Sequence, residues 1–279
     1  MQLLKDREIG VMFWGGRDPV ETVRELKALG AHCGQIGIAG DFPLTGAAAP
    51  WKAALQAEGF PVVTAFCAYN GESYADIPTV QRTVGFVPRQ TRAEREQRTY
   101  AVSEFAREVG ILSIATHIGF VPEDSSDPDY LAVREMVRRV CDHAARNKQT
   151  FALETGQESA ETLREFFIDV NRENLGINFD PANMILYGTG DPIDALGILA
   201  QHVISVHCKD GDWPPKGVPG ALGEEKPLGQ GSVGMDRFIK KLKSINFRGP
   251  LNIEREVPDH AQRLRDIGLG VKLLEKLRA

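Results

Sequence analysis

The chain has 279 residues, of which 42% are hydrophobic and 25% are charged, and its mean hydropathy is −0.23. This composition excludes an extensively disordered chain, and the net charge of −5 offers no basic surface for nucleic acid. No segment has the roughly 18 consecutive apolar residues of a membrane span, and the first residues lack the apolar region of a signal peptide. The four cysteines show no paired spacing, which predicts reduced, mostly packed thiols. We therefore expect a cytoplasmic protein without a membrane or nucleic-acid partner.

Apolar runs of strand length alternate with amphipathic helical segments along the chain. The predicted strands cover residues 8–14, 32–39, 61–68, 111–119, 150–154, 175–180, 203–208 and 250–254. The predicted helices cover residues 18–30, 50–59, 91–110, 127–148, 159–174, 191–202, 234–246 and 259–277. Residues 69–90 are predicted as a long connection without secondary structure, and residues 209–233 as a second long loop. Loops of this length are usually functional or mobile.

Eight such alternations, with no change of composition between the two halves, predict one domain over residues 1–279. Parallel strands that alternate with helices in this way close into a (β/α)8 barrel, the TIM barrel of the α/β class. An open, doubly wound sheet is the alternative. It is disfavoured because Gly15 and Gly16, after the first strand, are followed by a charged pair and not by the G-X-G-X-X-G fingerprint of a dinucleotide site.

Each of the last four strands leads into a polar residue that a surface strand would not need: Glu154, Asp180, His207 and Glu254. If these residues point into the barrel, side-chain alternation sends a second set the same way, one layer lower: Ala152, Asn178, Ser205 and Asn252. A filled barrel core would carry bulky branched residues at such positions. The small and polar residues therefore predict a polar cavity at the carboxyl ends of the strands.

The four strand-end residues also have the composition of a metal site. A lone polar residue at a strand end more often tethers a loop, but four at consecutive strand ends favour a shared ligand. Three clustered carboxylates repel one another unless a cation or protons neutralise them. Three carboxylates and one imidazole suit hard divalent cations, so we expect Mn²⁺, with Mg²⁺, Co²⁺ or Zn²⁺ as alternatives.

The stretches around these residues resemble those of a known superfamily. The segments LETGQE, NFDPAN, VHCKD with the later PLGQGSVGMDRF, and GPLNIERE look like the sugar phosphate isomerase/epimerase superfamily. Its members are xylose-isomerase-like barrels that include ketose 3-epimerases, hydroxypyruvate isomerases and inosose dehydratases. The resemblance covers nearly the whole chain. It implies that Glu154, Asp180, His207 and Glu254 are the ligands of a divalent metal, and that Glu154 and Glu254 are also the catalytic acid/base pair.

Further residues near the strand ends are expected to contact the substrate. His117 ends the fourth strand and resembles the substrate-side histidine of the superfamily, although a purely structural histidine is the alternative. Gln157 matches a polar position that touches substrate or metal-bound water. Asn183 stands where ketose 3-epimerases carry a histidine, so a substrate group must be bound differently here.

Three more substrate contacts are expected without such a specific match. Lys209 follows the predicted metal histidine, and it either contacts sugar hydroxyls or anchors its loop. Trp14 and Cys67 end the first and third strands and could form an apolar wall against a sugar ring, together with Phe13 unless that residue belongs to the core.

The predicted activity is a divalent-metal-dependent isomerase or epimerase that acts on a keto-sugar or related polyol. A metal that chelates a carbonyl and the adjacent hydroxyl favours loss of the intervening proton as an enediolate. Return of the proton to the opposite face gives epimerisation, return to the neighbouring carbon gives isomerisation, and loss of a β-hydroxyl gives dehydration. The alternatives are therefore a lyase or dehydratase acting on an inosose or a 3-keto-glycoside, or a sugar-binding barrel without turnover. Phosphorylation of the substrate and formation of a homo-oligomer are left open.

Overall fold

A computed structural model describes residues 4–278 of the chain. It contains a closed barrel of eight parallel strands, in which the last strand pairs with the first. This confirms the predicted (β/α)8 barrel. The barrel strands are β1 (Ile9–Trp14), β2 (Cys33–Ile38), β3 (Val62–Cys67), β4 (Ser113–Thr116), β5 (Thr150–Glu154), β6 (Leu175–Phe179), β7 (Val203–Cys208) and β10 (Leu251–Ile253). Two further strands, β8 (Asp210–Asp212) and β9 (Glu224–Lys226), form a separate sheet.

Ten α-helices lie within residues 4–278: α1 (Pro19–Ala28), α2 (Ala48–Glu58), α3 (Ile77–Thr83), α4 (Arg92–Val109), α5 (Pro128–Arg146), α6 (Ala160–Val170), α7 (Pro181–Tyr187), α8 (Pro192–Leu199), α9 (Met235–Ser244) and α10 (His260–Arg278). Several begin with an aspartate cap followed by proline, because the capping carboxylate accepts free backbone N–H groups and proline needs none. Asp18, Asp127 and Asp191 cap α1, α5 and α8 in this way.

The two long connections contain more structure than predicted. The expectation that residues 69–90 form no element is wrong, since α3 lies there with Asp76 as its cap. This helix was missed because it has seven residues and buries only Val80, so it leaves no hydrophobic period. Residues 209–233 contain the antiparallel pair β8 and β9, which stands outside the barrel. A backbone hydrogen bond of 2.9 Å from Ile77 to Gly220 joins the two connections.

The main core lies between the barrel and its helices. Its largest fully buried side chains are phenylalanines from strands, helices and loops: Phe60, Phe86, Phe151, Phe166, Phe179 and Phe238. Each such side chain contributes roughly 1.5–3 kcal/mol by leaving water. All four cysteines are free and buried, which agrees with the prediction of packed thiols. No helix within residues 4–278 is long and apolar enough to cross a membrane.

The interior of the barrel contains an apolar cluster and a hydrogen-bonded polar group. Met12, Phe66, Ala115 and Ala152 form the small apolar cluster. In the polar group, the buried Asn178 accepts hydrogen bonds from Gln35, at 3.1 Å, and from Ser205. The predicted polar layer therefore exists, and Gln35 of β2 extends it beyond the four strands that predicted it.

Candidate metal centre

The four predicted ligands lie together at the carboxyl end of the barrel. Glu154 is the last residue of β5, Asp180 and Glu254 directly follow β6 and β10, and His207 is the penultimate residue of β7. These four strands are neighbours in the order β5, β6, β7 and β10. One possible ligand atom from each residue lies within 4.8 Å of all the others. The cluster can therefore offer three carboxylate oxygens and one imidazole nitrogen to a single divalent ion.

The Nδ1 atom of His207 lies close to a carboxylate oxygen of each of the other three residues. It lies 3.1 Å from Glu154 Oε1, 3.1 Å from Glu254 Oε2 and 3.6 Å from Asp180 Oδ2. Glu154, Asp180 and His207 are at most 2% exposed. Glu154 Oε2 and Asp180 Oδ2 are buried and find no hydrogen-bond donor within residues 4–278. Because buried polar atoms are nearly always satisfied, these two orphaned oxygens fit a bound cation.

A glutamine of the polar group inside the barrel orients the histidine. Gln35 Oε1 lies 2.9 Å from Nε2 of His207, so it can accept the proton of that nitrogen. Because this contact holds the proton on Nε2, Nδ1 can present its lone pair to a metal ion once it has lost its own proton. Metal-ligating histidines usually donate their second N–H to such a partner, which fixes the ring.

A second arrangement fixes two of the carboxylates through one short helix. Asp180 caps α7, and its Oδ1 accepts the N–H groups of Ala182, at 2.8 Å, and Asn183, at 3.0 Å. The side-chain amide of Asn183 then donates to Glu154 Oε1 at 3.0 Å. Hence α7 orients ligands that come from two different strands, and Asp180 keeps its other oxygen free.

Without a cation, protons must neutralise the cluster. Burial raises the pKa of Glu154 to about 8, and the nearby Glu254 and Asp180 carboxylates add to this rise. Burial alone would raise the pKa of Glu254 as well, but the charges of His207 and Lys209 outweigh it and hold that pKa well below its usual range. Burial lowers the pKa of His207, yet the Glu254 and Glu154 charges raise it well above normal. The site thus holds one protonated and one ionised glutamate side by side.

A cavity of about 320 Å³ lies above this cluster. Its wall includes Trp14, His117, Asn183 and Lys209 of the predicted substrate contacts, together with Glu254. His117 Nε2 is 3.8 Å from Glu154 Oε2, and burial lowers the pKa of this histidine to about 3, so its ring is neutral. Gln157 is not among the residues that line the cavity, and its amide nitrogen lies 3.4 Å from Nδ1 of His117.

Lys209 and Cys67 differ sharply in position. The buried Lys209 ammonium donates to Glu254 Oε2 at 3.1 Å and also pairs with Glu256, which ties the start of its loop to the cluster. Cys67 does not line the cavity, contrary to expectation, but packs into the core outside the barrel wall. Its neighbours Phe66 and Ala68 face the cavity instead. Thr64 is the one polar residue of β3, and a single threonine is a weak signal of which face points inward.

The roof of the cavity comes from residues that the sequence did not single out. Tyr74 belongs to the connection before α3, and its ring centroid lies 5.7 Å from that of His117. Leu222 and Glu225 belong to the second long connection, and Tyr187 ends α7. Only the length of the two connections hinted at a functional role.

The barrel and the four-residue cluster define the class as an α/β barrel with a candidate metal centre. The family model described as xylose isomerase-like TIM barrel matches residues 23–277, so this chain belongs to that family.

Three known proteins illustrate the range of similarity. The crystal structure of a xylose isomerase domain protein from Planctomyces limnophilus is 45% identical, with 98% of each chain covered and a TM-score of 0.92. The 3-keto-D-glucoside 4-epimerase of Escherichia coli shares the fold at 18% identity, with 95% of this chain and 99% of that chain covered and a TM-score of 0.66. An uncharacterized protein of Methanocaldococcus jannaschii is 24% identical over 51% of this chain, and the match spans about half of that protein, 50%.

Proposed function

We propose that this protein is a divalent-metal-dependent isomerase or epimerase that acts on a keto-sugar or a related polyol. The observation that carries the proposal is the cluster of Glu154, Asp180, His207 and Glu254 at the base of a cavity of about 320 Å³. Two of its buried carboxylate oxygens have no hydrogen-bond donor among residues 4–278. The E. coli neighbour with this fold is named an epimerase of a keto-sugar derivative, which agrees with the proposal.

The acid/base roles fall to two glutamates, each of which has a carboxylate oxygen 3.1 Å from Nδ1 of His207. When bound, a divalent cation would acidify the C–H group beside a carbonyl oxygen that it holds. The Lys209 ammonium, 3.1 Å from Glu254 Oε2, favours the ionised form of that carboxyl group, so Glu254 is suited to accept the proton. Glu154 would then be the second carboxyl group, which returns a proton to the substrate.

The cavity residues would hold and orient the sugar. The neutral His117 can exchange hydrogen bonds with hydroxyl groups in either sense, depending on its tautomer. Lys209 supplies a fixed positive charge next to Glu254, at 3.1 Å, where negative charge develops on the substrate oxygens. Tyr74 and Leu222 in the roof exclude water from the reacting carbons.

The test is a deuterium-exchange screen of ketoses, 3-keto-glucosides and inososes in D₂O with Mn²⁺ or Mg²⁺. We expect solvent deuterium in the unconverted ketose and in its epimer or isomer, without loss of water. Glu254→Gln should reduce exchange at least 100-fold, whereas Glu165→Gln, an exposed position on α6, should not change it. A conjugated enone product would favour the dehydratase alternative. Binding without exchange for every compound would favour a sugar-binding barrel and refute the proposed activity.

A further inference from the structure

A second cavity opens beside the one above the metal centre. It has a volume of about 270 Å³ and lies where the first turns of α1 and α10 meet. The two cavities share four wall residues: Met12, Trp14, Glu254 and Glu256. Glu254 is the candidate metal ligand in both walls, but the first wall also carries His117 and Asn183, which contact Glu154, and the second wall carries neither. Metal chemistry on a single sugar ring therefore does not account for this space.

Trp14 stands at the junction of the two cavities with a rigid aromatic surface. Its side chain belongs to β1 yet is 41% exposed. A methyl group added at Gly37 of the neighbouring β2 would lie 2.6 Å from Cε3 of the indole, so the glycine allows the ring to lie against the strand. The exposed part of the indole lines both cavities and is available to a ligand. The apolar C–H face of a sugar ring would bury itself on such a surface.

The charges around the second cavity are balanced. Its wall carries three acids and three arginines: Glu25, Glu254, Glu256, Arg17, Arg255 and Arg263. Arg17 pairs with Glu25 at 2.8 Å, and Arg255 pairs with Glu225 and Asp266.

The remaining polar groups of this wall are also engaged. Arg263 donates to the carbonyls of Val257 and Pro258. His260 Nε2 lies 3.1 Å from Glu25 Oε1 and 3.2 Å from Arg17 Nη1. The three acids and three arginines sum to a net charge of zero, so this wall offers a phosphate no excess of positive charge. Paired donors and acceptors of both kinds suit the hydroxyl groups of an uncharged ligand.

We infer that the substrate is an uncharged two-unit glycoside. Its keto-sugar unit occupies the cavity above the metal centre, and its second unit rests on Trp14 in the second cavity. Each volume is near the lower limit of the roughly 300–1,000 Å³ of small-molecule sites, and a ligand that spans both lies within that range. This inference rests on the proposed function, because it places the reacting ketone beside the four candidate ligands.

The test compares ketoses that differ only in what they carry beyond the reacting unit. D-fructose, isomaltulose with a glucosyl group on the sixth oxygen, and D-fructose 6-phosphate form one set; methyl 3-keto-glucoside and 3-keto-sucrose form another. Dissociation constants are measured by calorimetry with Mg²⁺ present. We expect the disaccharide of at least one set to bind at least tenfold more tightly than its smaller counterpart, and fructose 6-phosphate to bind no more tightly than fructose.

Two variants assign that preference to the second cavity. Trp14→Ala removes the aromatic surface. Gly16→Leu adds bulk to the wall of the second cavity at an exposed position, where an added methyl group meets no atom within 4 Å. In each variant the ratio of disaccharide to monosaccharide affinity should fall below about threefold. Ala93→Leu, exposed on α4, should keep the wild-type ratio, and melting curves check that all three variants fold.

The outcomes separate this inference from the proposed function. Equal affinities within each set, tighter binding of the phosphate, or an unchanged ratio in both variants would overturn the two-unit substrate. In that case deuterium exchange into fructose or methyl 3-keto-glucoside would leave the proposed activity standing. Absence of both binding and exchange for every compound would overturn the activity and the inference together.

Discussion

Glu158 is a buried carboxyl group for which residues 4–278 provide no cationic partner, and its substitution tests the effect of burial on the pKa. It lies between β5 and α6, is 7% exposed, and accepts the N–H of Val121 at 3.0 Å. Burial raises its pKa from 4.5 to about 7. Between these values the folded protein keeps a proton that the unfolded chain has lost, so stability falls as the pH rises through this interval. The difference corresponds to about 3 kcal/mol in the free energy of unfolding.

The variant Glu158→Gln removes the ionisation and keeps an oxygen that can accept the Val121 N–H. The free energy of unfolding of the variant, relative to that of the wild type, should therefore rise by about 2–3 kcal/mol between pH 5 and pH 8. The measurement is urea denaturation at several pH values with a chelator present, so that metal binding does not contribute. Glu165→Gln, at an exposed position on α6, serves as the control, and its free energy of unfolding should change with pH as that of the wild type does. Unfolding free energies of Glu158→Gln and wild type that stay parallel from pH 5 to pH 8 would refute the assigned burial effect.

Three further predictions concern the metal centre and the core. Mn²⁺ at 100 times its dissociation constant should add about 2.7 kcal/mol to the free energy of unfolding, which is seen as a higher melting temperature. Asp180→Asn should abolish most of this gain. An equal gain in the variant would mean that the ion binds elsewhere. Because the pKa of Glu154 is about 8 and that of His207 lies well above normal, metal binding at pH 7 should release protons, and affinity should rise with pH towards 8. Calorimetry in buffers with different ionisation enthalpies counts these protons, and a count of zero contradicts the assignment. Finally, Phe151→Ala should cost about 3–5 kcal/mol in denaturation experiments, whereas Leu112→Ala, 56% exposed, should cost less than about 0.5 kcal/mol.

The sequence predicted the barrel and the cluster because both depend on local periodicity. Strand-length apolar runs in β5, β6, β7 and β10 each lead to a polar residue, and the side-chain period of two then assigns Asn178 and Ser205 to the interior. The same rule was a weak guide in β3, where Thr64 is the one polar residue, and Cys67 was assigned to the wrong face.

The roof and the second cavity lay beyond such reasoning, because they depend on contacts between distant segments. Ile77 meets Gly220 across 143 positions of sequence, and the buried Arg95 of α4 donates to the carbonyls of Thr83 and Gly85. No periodic signal marks such contacts. Likewise the second cavity appears only where α1 and α10, at opposite ends of the chain, come together.

The capping of α7 by Asp180 has a consequence for how an ion would be captured. One oxygen of this carboxylate is committed to the helix through Ala182 and Asn183, and the other is free. The rotamer of the ligand is thus chosen during folding, and the entropy of ordering it is lost at that stage and not when the ion arrives. Selectivity among divalent ions would then follow from a rigid opening, since a preset carboxylate tolerates fewer ionic radii than a mobile one. Lengthening the side chain by one methylene, as in Asp180→Glu, would keep the charge but lose the selectivity among divalent ions.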